Sequence, residues 1–453
     1  MSSTKKNYIY NVIYQMLLLV IPLITTPYIS RVIGAEGSGI YSYTYSIVQY
    51  FGIFAMLGLN NYGNRSVAKI RDDKDKLSRT FCSIYAMQLM TTVIMTIIYI
   101  GYIFFINDKY TTVAIMQIIY LISVALDINW FFFGMEKFKI TVTRNIVIKI
   151  ISTIMIFIFV RTRDDLYIYI LILLLSSLIS QLVLWKFLKK EIKFVKPKWE
   201  EIKVHFKPNV ILFIPVIAVS IYKMMDKIML GNMSNMTEVG LYEYAERIQN
   251  IPQGLITALG TVMLPKMSNL VARGEEEKAQ GYINRSMEFI LFASIPMALG
   301  IISIANDFVP LFLGEEYIKT GQLLQYLPIT IVFISWAQVR RSQYLIPKEK
   351  DKTFIMAVCT GAITNFILNY ILIPKYQALG AVFGTVAAEF VVMLYHILAT
   401  IKEVDIKQHI KYFINLFIKG IVMFVAIEIM GRFIENVMIR IVLQVVIGIV
   451  IYV

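Results

Sequence analysis

The chain has few of the residues from which metal sites, disulfide frameworks and soluble enzymes are built. It holds 2 cysteines and 3 histidines in 453 residues, and 16% of its residues are charged. Cys82 and Cys359 lie in or beside apolar stretches and do not form a disulfide framework. The histidines lack the spacing of a metal site, and no phosphate-binding loop of the form Gly, four residues, Gly-Lys-Ser/Thr occurs. We therefore predict no metal, no cofactor, no catalytic residue and a protein that is not an enzyme.

Apolar residues dominate the chain instead. They make up 58% of it, and its mean hydropathy of +0.66 is higher than a soluble domain of this length requires. Apolar runs of about 20 residues recur from end to end, each long enough to cross about 30 Å of hydrocarbon as a helix. Because the runs are apolar on all sides, they predict helices rather than transmembrane strands.

We predict an all-α integral membrane protein with about fourteen transmembrane helices. The predicted spans are residues 8–30, 40–62, 82–106, 111–133, 145–161, 165–186, 209–230, 240–263, 287–313, 321–339, 354–373, 378–400, 412–430 and 437–453.

The distribution of lysine and arginine predicts how these spans are oriented. Lys5 and Lys6 precede the first run, which has no small-residue cleavage site and is expected to remain as a span with a cytoplasmic N-terminus. With that orientation, most loop cations fall on the cytoplasmic side of the membrane. The opposite loops carry Arg31, Lys109, Arg161, Arg163, Lys319, Lys375, Arg432 and Arg440. The net charge of +14 thus reflects topology, and we predict no nucleic-acid partner.

The order of motifs along the chain predicts two pseudo-symmetric lobes. Residues 186–207 form the longest polar stretch and contain eight lysines, which anionic lipids are expected to hold at the inner membrane surface. Ile21-Pro22 and residues 39–47 are matched in order by Ile214-Pro215 and residues 240–248, which predicts a parallel repeat. The predicted parts are an N-lobe of six spans at 1–188, a basic cytoplasmic connector at 189–207, a C-lobe of six spans at 208–401, and two additional spans at 402–453.

Charged residues inside the seventh predicted span are the main candidates for function. Lys223, Asp226 and Lys227 lie in an otherwise apolar run, where a charge costs at least a few kcal/mol. Lys223 and Lys227 are four residues apart and share a helix face, with Asp226 near both in sequence. The three leave about one net positive charge for an anion. The alternative is structural, with one lysine paired to Asp226 and the other reaching outward to the surface.

Other charged residues are candidates for a supporting role. Arg31 has the equivalent position in the first lobe, where it either binds phosphate or reaches the surface. Arg247 follows Glu243 by four residues and is expected to pair with it, with contact to the substrate as the alternative. Carboxylates near the spans either take up protons or sodium or only balance the lysines. These candidates are Asp226, Asp127, Glu243 and Glu246.

Four segments resemble one family of membrane proteins. They are residues 58–71 (GLNNYGNRSVAKIR), 127–139 (DINWFFFGMEKFK), 226–231 (DKIMLG) and 369–381 (NYILIPKYQALGA). They are similar, in the same order, to segments of the bacterial polysaccharide flippases of the multidrug/oligosaccharidyl-lipid/polysaccharide exporter superfamily. Within the second segment we expect the aromatic run at 130–133 to be interfacial, lipid-facing packing rather than a sugar platform.

The resemblance implies movement of a lipid-linked oligosaccharide across the membrane. The substrate of such proteins is built on undecaprenyl pyrophosphate, which Lys223, Lys227, Arg31 and Arg247 would then bind, and it supplies capsule, O-antigen or another surface glycan at the bacterial cell membrane. Partners would be membrane lipids and polysaccharide assembly proteins. The chain stops at Val453, without the basic tail that such proteins often carry, which leaves a truncated last span as one interpretation.

Two other functions stay open at this point. A multidrug or cation antiporter of the same superfamily would have the same two lobes, with acidic residues dominating its cavity. A membrane-embedded glycan polymerase or ligase would have a large outer loop, whereas the predicted outer loops of this chain are short. The residues therefore favour the flippase, working by alternating access.

Overall fold

The computed structural model describes residues 3–106 and 109–453 of the chain. Within them, the side chains of residues 3–20, 215, 218–219, 221–223, 255, 258 and 261 lie outside the description. Every long regular element in the described ranges is an α-helix. The prediction of an all-α fold is therefore confirmed.

The described residues from Ser3 to Met233 form ten α-helices. They are α1 (Ser3–Met56), α2 (Leu59–Ile70), α3 (Lys74–Phe105), α4 (Thr111–Met116), α5 (Ile118–Ala125), α6 (Asn129–Gly134), α7 (Phe138–Phe159), α8 (Leu166–Leu188), α9 (Trp199–Lys203) and α10 (Phe206–Met233). The first predicted span and most of the second lie on α1, which is interrupted at Gly34 (φ 76°, ψ 176°), a backbone conformation that only glycine adopts easily.

Eight more helices follow along the chain. They are α11 (Met236–Ala272), α12 (Glu276–Leu313), α13 (Ile318–Leu323), α14 (Ile329–Arg340), α15 (Asp351–Tyr376), α16 (Ala378–Ala399), α17 (Ile406–Gly431) and α18 (Val437–Tyr452). Each of the fourteen predicted spans falls on one or more of the helices α1–α18. By length and composition, eight helical segments in the described part of the chain can each cross a membrane, and one of them, Thr111–Gly134, comprises α4, α5 and α6. The chain is a multi-pass membrane protein.

The chain divides into two compact units, Met1–Ser220 and Ile221–Val453. The division falls inside α10. The finer boundaries predicted at residues 188, 207 and 401 stay predictions.

The aromatic run of α6 lies in the core of the first unit, so the expectation that it faces lipid is wrong for three of its four rings. Trp130, Phe131 and Phe132 are fully buried, and only Phe133 is partly exposed. Gly63 of α2 makes this possible, because a Cβ there would lie 2.5 Å from the Trp130 ring. The indole Nε1 donates to Gln88 Oε1 of α3 at 3.1 Å. Two of the family-like segments, 58–71 and 127–139, thus pack against each other as a structural core.

Candidate functional site

The turn between α10 and α11 brings buried charges together in the second unit. Asn235 caps α11 by accepting a hydrogen bond from Glu238 N through its side chain at 3.0 Å. Beyond this cap, Lys227 of α10 meets two carboxylates of α11. Its Nζ lies 2.6 Å from Glu243 Oε2 and 2.7 Å from Glu246 Oε2.

Arg247 joins the same group of side chains. Its Nε donates to Glu243 Oε1 at 2.6 Å, which is the i, i+4 pair that the spacing predicts. Its guanidinium also lies over the Tyr244 ring, 5.2 Å from the ring centroid. We call Lys227, Glu243, Glu246 and Arg247 the charge cluster.

The charge cluster is neutral and mostly shielded. It contains two cations and two carboxylates, so its formal charges cancel. The side chains of Lys227, Glu243 and Glu246 are 15%, 11% and 27% exposed. The excess positive charge expected from the lysines is therefore not left on Lys227, because two glutamates of the next helix balance it. Lys227 and Arg247 nevertheless lie close together between α10 and α11. An incoming anion could therefore bind the planar guanidinium of Arg247 and the ammonium of Lys227 at the same time.

Asp226 is directed to a second group of side chains. Its Oδ2 accepts from Tyr242 Oη and Thr385 Oγ1, each at 2.7 Å, and its Oδ1 accepts from Asn369 Nδ2 at 2.6 Å. Asn369 Nδ2 also donates to Asn365 Oδ1 at 3.2 Å. We call these five residues the Asp226 cluster. Neighbouring residues on a helix point about 100° apart, which is why Asp226 and Lys227 contact different partners.

Four helices build the Asp226 cluster in the core of the second unit. Asp226 comes from α10, Tyr242 from α11, the two asparagines from α15 and Thr385 from α16. Asp226 is 4% exposed, and both asparagines are fully buried. Gly384 leaves the room for this contact, because a Cβ there would overlap the Asn369 amide oxygen.

The Asp226 cluster has the chemistry of a site for a small cation. Its oxygens are one carboxylate, the amides of Asn365 and Asn369, and two hydroxyls. Asn369 Oδ1 is buried without a hydrogen-bond partner among the described residues. Hard cations bind through oxygen, and a single carboxylate supplies one negative charge. The Asp226 cluster therefore fits a proton or a monovalent cation better than a divalent metal. Elsewhere too, the described residues include no group of three or more His, Cys, Asp or Glu that could hold a metal ion.

Two predicted site residues lie in the first unit. Asp127 Oδ1 accepts from Asn129 N at 2.8 Å and from Asn129 Nδ2 at 2.7 Å, so it orders the start of α6. The same Asn129 accepts from Arg144 Nη2 at 3.0 Å. Arg31 is exposed, and its Nη1 donates to Pro27 O at 3.0 Å. The side chain of Lys223 lies outside the described residues.

The structure thus brings together Lys227, Arg247, Glu243 and Glu246, and places Asp226 in a separate cluster on the same helix pair. Tyr242, Asn365, Asn369 and Thr385 were not among the predicted site residues. One signal could have found two of them: Asn365 and Asn369 are polar residues four apart in an apolar run, and therefore share a helix face. Binding of substrate by any of these residues stays a prediction.

Comparison with known families decides the affiliation of the chain. The family model for "Polysaccharide biosynthesis protein" matches residues 4–271, more than half of the chain. The chain belongs to this family. A second model, MatE, matches residues 212–371.

Proteins that are similar in sequence to this chain include a transporter and a flippase. A protein of Escherichia coli (strain K12) with the provisional name of O-antigen transporter is 25% identical over 86% of this chain and 95% of its own length. The capsular polysaccharide biosynthesis protein CapF of Staphylococcus aureus is 22% identical over 84% of this chain and 92% of its own. The lipid II flippase MurJ of Bacillus subtilis is 28% identical over 42% of this chain and 34% of its own.

Solved structures show the same fold. The lipid II flippase MurJ, in an inward closed conformation, matches 98% of this chain and 96% of its own with a TM-score of 0.80 at 16% identity. An inward-facing multidrug resistance transporter of the MATE family matches 85% of this chain and 97% of its own with a TM-score of 0.63 at 13% identity. The chain therefore shares the fold of these two solved transporters, and two of the three relatives above are named as a transporter and a flippase.

Proposed function

We propose that this protein moves an undecaprenyl-pyrophosphate-linked oligosaccharide repeat unit from the cytoplasmic to the outer leaflet of the bacterial cell membrane. The family affiliation and the nearly full-length similarity to an O-antigen transporter support this proposal. Within the structure, the observation that carries it is Lys227, a cation kept between two apolar helices together with Arg247. A buried ionisable residue in a membrane helix is costly, and it usually marks a substrate or ion path.

The pyrophosphate is the part of the substrate that needs these cations. It carries at least two negative charges, and leaving water costs it far more than it costs the sugars or the polyprenyl chain. In our proposal Lys227 and Arg247 exchange their glutamate partners for phosphate oxygens. Protons then neutralise Glu243 and Glu246, because two buried carboxylates next to a diphosphate would otherwise repel it. Anion binding and proton uptake at the charge cluster therefore favour each other.

Asp226 is the residue we propose for coupling to a proton or sodium ion. It precedes Lys227 on α10, and its partner Tyr242 precedes Glu243 on α11. A cation that enters the Asp226 cluster would replace hydrogen bonds that join α10 and α11 to α15 and α16. The same two helices carry the charge cluster, so ion binding and substrate binding act on one pair of helices.

The remaining steps follow from the chemistry of the substrate. Alternating access exposes the charge cluster to each side of the membrane in turn, the glycan passes through a hydrated space, and the polyprenyl tail stays in lipid. The N-terminus lies in the cytoplasm, on the side of the basic loops. Assembly proteins for the surface polysaccharide would deliver and accept the repeat unit.

Complementation of a host that lacks its own O-antigen flippase tests this function. The variant Lys227→Ala should abolish surface glycan while the protein remains in the membrane. The matched control is Lys278→Ala, which also removes a lysine paired with a glutamate, but at an exposed position (71% exposed, 2.6 Å from Glu275 Oε2). Normal surface glycan with Lys227→Ala would remove this lysine from the mechanism.

A multidrug antiporter is the second candidate. It is favoured by the MatE model over residues 212–371 and by Asp226, a buried carboxylate that could hold an organic cation. Cells that express the protein would then resist cationic dyes, and Asp226→Asn would remove that resistance without any effect on surface glycan.

A further inference from the structure

The connector at residues 189–207 is held firmly against the first unit. The backbone N–H of Lys193 donates to Ser78 Oγ at 3.0 Å, and that of Val195 donates to Cys82 Sγ at 3.4 Å, both on α3. At the end of the connector, His205 is buried between α2 and α3. Its Nδ1 is 2.7 Å from Tyr62 Oη and its Nε2 is 2.9 Å from Ser83 Oγ. These contacts fix which side of the connector faces outward.

The outward side combines large apolar side chains with lysines. Phe194, Trp199 and Val204 are 59%, 53% and 58% exposed, although all three lie in the most basic stretch of the chain. The exposed lysines of the connector are Lys189, Lys190, Lys193, Lys196, Lys198, Lys203 and Lys207. Polar loops in water rarely expose this much apolar surface, whereas an aromatic ring beside a lysine is typical of the boundary between water and lipid.

The acidic residues of the connector do not cancel this charge. Glu191 pairs with Lys137, and Glu201 pairs with Arg79 of α3 at 3.5 Å. Two of the three connector glutamates are therefore matched with cations that lie outside the connector. The positive charge of the connector lysines remains in excess on the exposed side.

We propose that the connector is a docking surface for the headgroups of anionic membrane lipids. Phe194, Trp199 and Val204 enter the interfacial region of the bilayer, and the lysines bind lipid phosphates at the same depth. Charge complementarity selects anionic over zwitterionic lipid, and the apolar side chains select a bilayer over a soluble polyanion. The proposal needs only that the protein spans a membrane and is independent of its transported substrate.

Trp199 supplies the signal for a direct test. The full chain is placed in nanodiscs of phosphatidylcholine that contain a small fraction of brominated lipid, whose bromines quench nearby indoles. Trp199→Phe removes the connector indole, so the difference between the two proteins isolates its fluorescence. We expect brominated phosphatidylglycerol to quench Trp199 more than brominated phosphatidylcholine does, and added salt to reduce this difference.

The lysines are tested by a charge variant and a matched control. Lys193→Gln, Lys196→Gln and Lys203→Gln together should reduce the preference for the anionic lipid by roughly fivefold per lysine. Changing Lys402, Lys407 and Lys411 to glutamine removes the same charge from the second unit and should leave the Trp199 signal unchanged. Equal quenching by both lipids, no quenching by either, or the same loss in the control would overturn the proposal.

Discussion

Loss of the Lys227 ammonium should destabilise the protein, because it leaves two partly buried carboxylates with one cation fewer. The variant Lys227→Met keeps most of the side-chain volume and removes the charge. Breaking a buried ion pair by deleting one partner costs about 3–5 kcal/mol. Glu246 is 27% exposed and keeps some contact with water, so we expect the lower end, about 3 kcal/mol. That is roughly a 150-fold change in the ratio of folded to unfolded protein.

A double-mutant cycle shows whether this loss comes from the ion pair. Glu246→Gln in the Lys227→Met background restores the balance of charge, with Glu243 and Arg247 still paired. We expect the double variant to regain about 1–2 kcal/mol over Lys227→Met alone. The measured quantity is the free energy of unfolding in mixed micelles, and reversible unfolding is monitored by the circular dichroism of the helices.

The control is Lys278→Met, which removes an exposed pair at i, i+3 and should lower the free energy of unfolding far less than Lys227→Met does. If the Lys227 and Glu246 changes were additive within about 0.5 kcal/mol, the charge cluster would not be held by this ion pair.

Three further predictions concern the Asp226 cluster and His205. Asp226→Asn should cost about 1–3 kcal/mol of unfolding free energy and remove the dependence of transport on the proton or sodium gradient, measured in vesicles with imposed gradients. Gly384→Ala should displace Asn369 and cost about 1–3 kcal/mol, whereas Gly300→Ala, with nothing within 4 Å of its added Cβ and inside α12, should not destabilise the protein in the same unfolding assay. Burial lowers the pKa of His205 below its ordinary value of 6.5. As the pH falls, the unfolded ring takes up a proton before the folded ring does. The connector should therefore pack fully against α2 and α3 above pH 6.5, and this packing should weaken as the pH falls below that value. The measurement is amide hydrogen exchange at residues 193–205, which should become faster at the lower pH.

The positions of the helices could be predicted from the sequence because hydropathy depends only on which residues must avoid water. Runs of about 20 apolar residues identified the spans without any knowledge of their neighbours. The pair of Glu243 and Arg247 could also be predicted, since both residues lie on one helix and the i, i+4 rule is local.

The partners of Lys227 and Asp226 could not be predicted, because they come from other helices. Closeness in sequence favoured an association of Lys227 with Asp226, but adjacent residues of a helix point in different directions. The burial of Trp130 was missed for a similar reason. Its run looks lipid-facing by composition, and only the contact with Gly63 of α2 shows that it belongs to a core.

Transbilayer movement of the substrate is the most direct test of the proposed function. A fluorescent undecaprenyl-pyrophosphate oligosaccharide is placed in proteoliposomes, and a membrane-impermeant quencher reports how much of it changes leaflet. We predict protein-dependent movement with the wild type and with Lys278→Ala, and none with Lys223→Ala/Lys227→Ala. Movement of a cationic dye with no movement of the lipid-linked oligosaccharide would contradict the proposed function and support the antiporter.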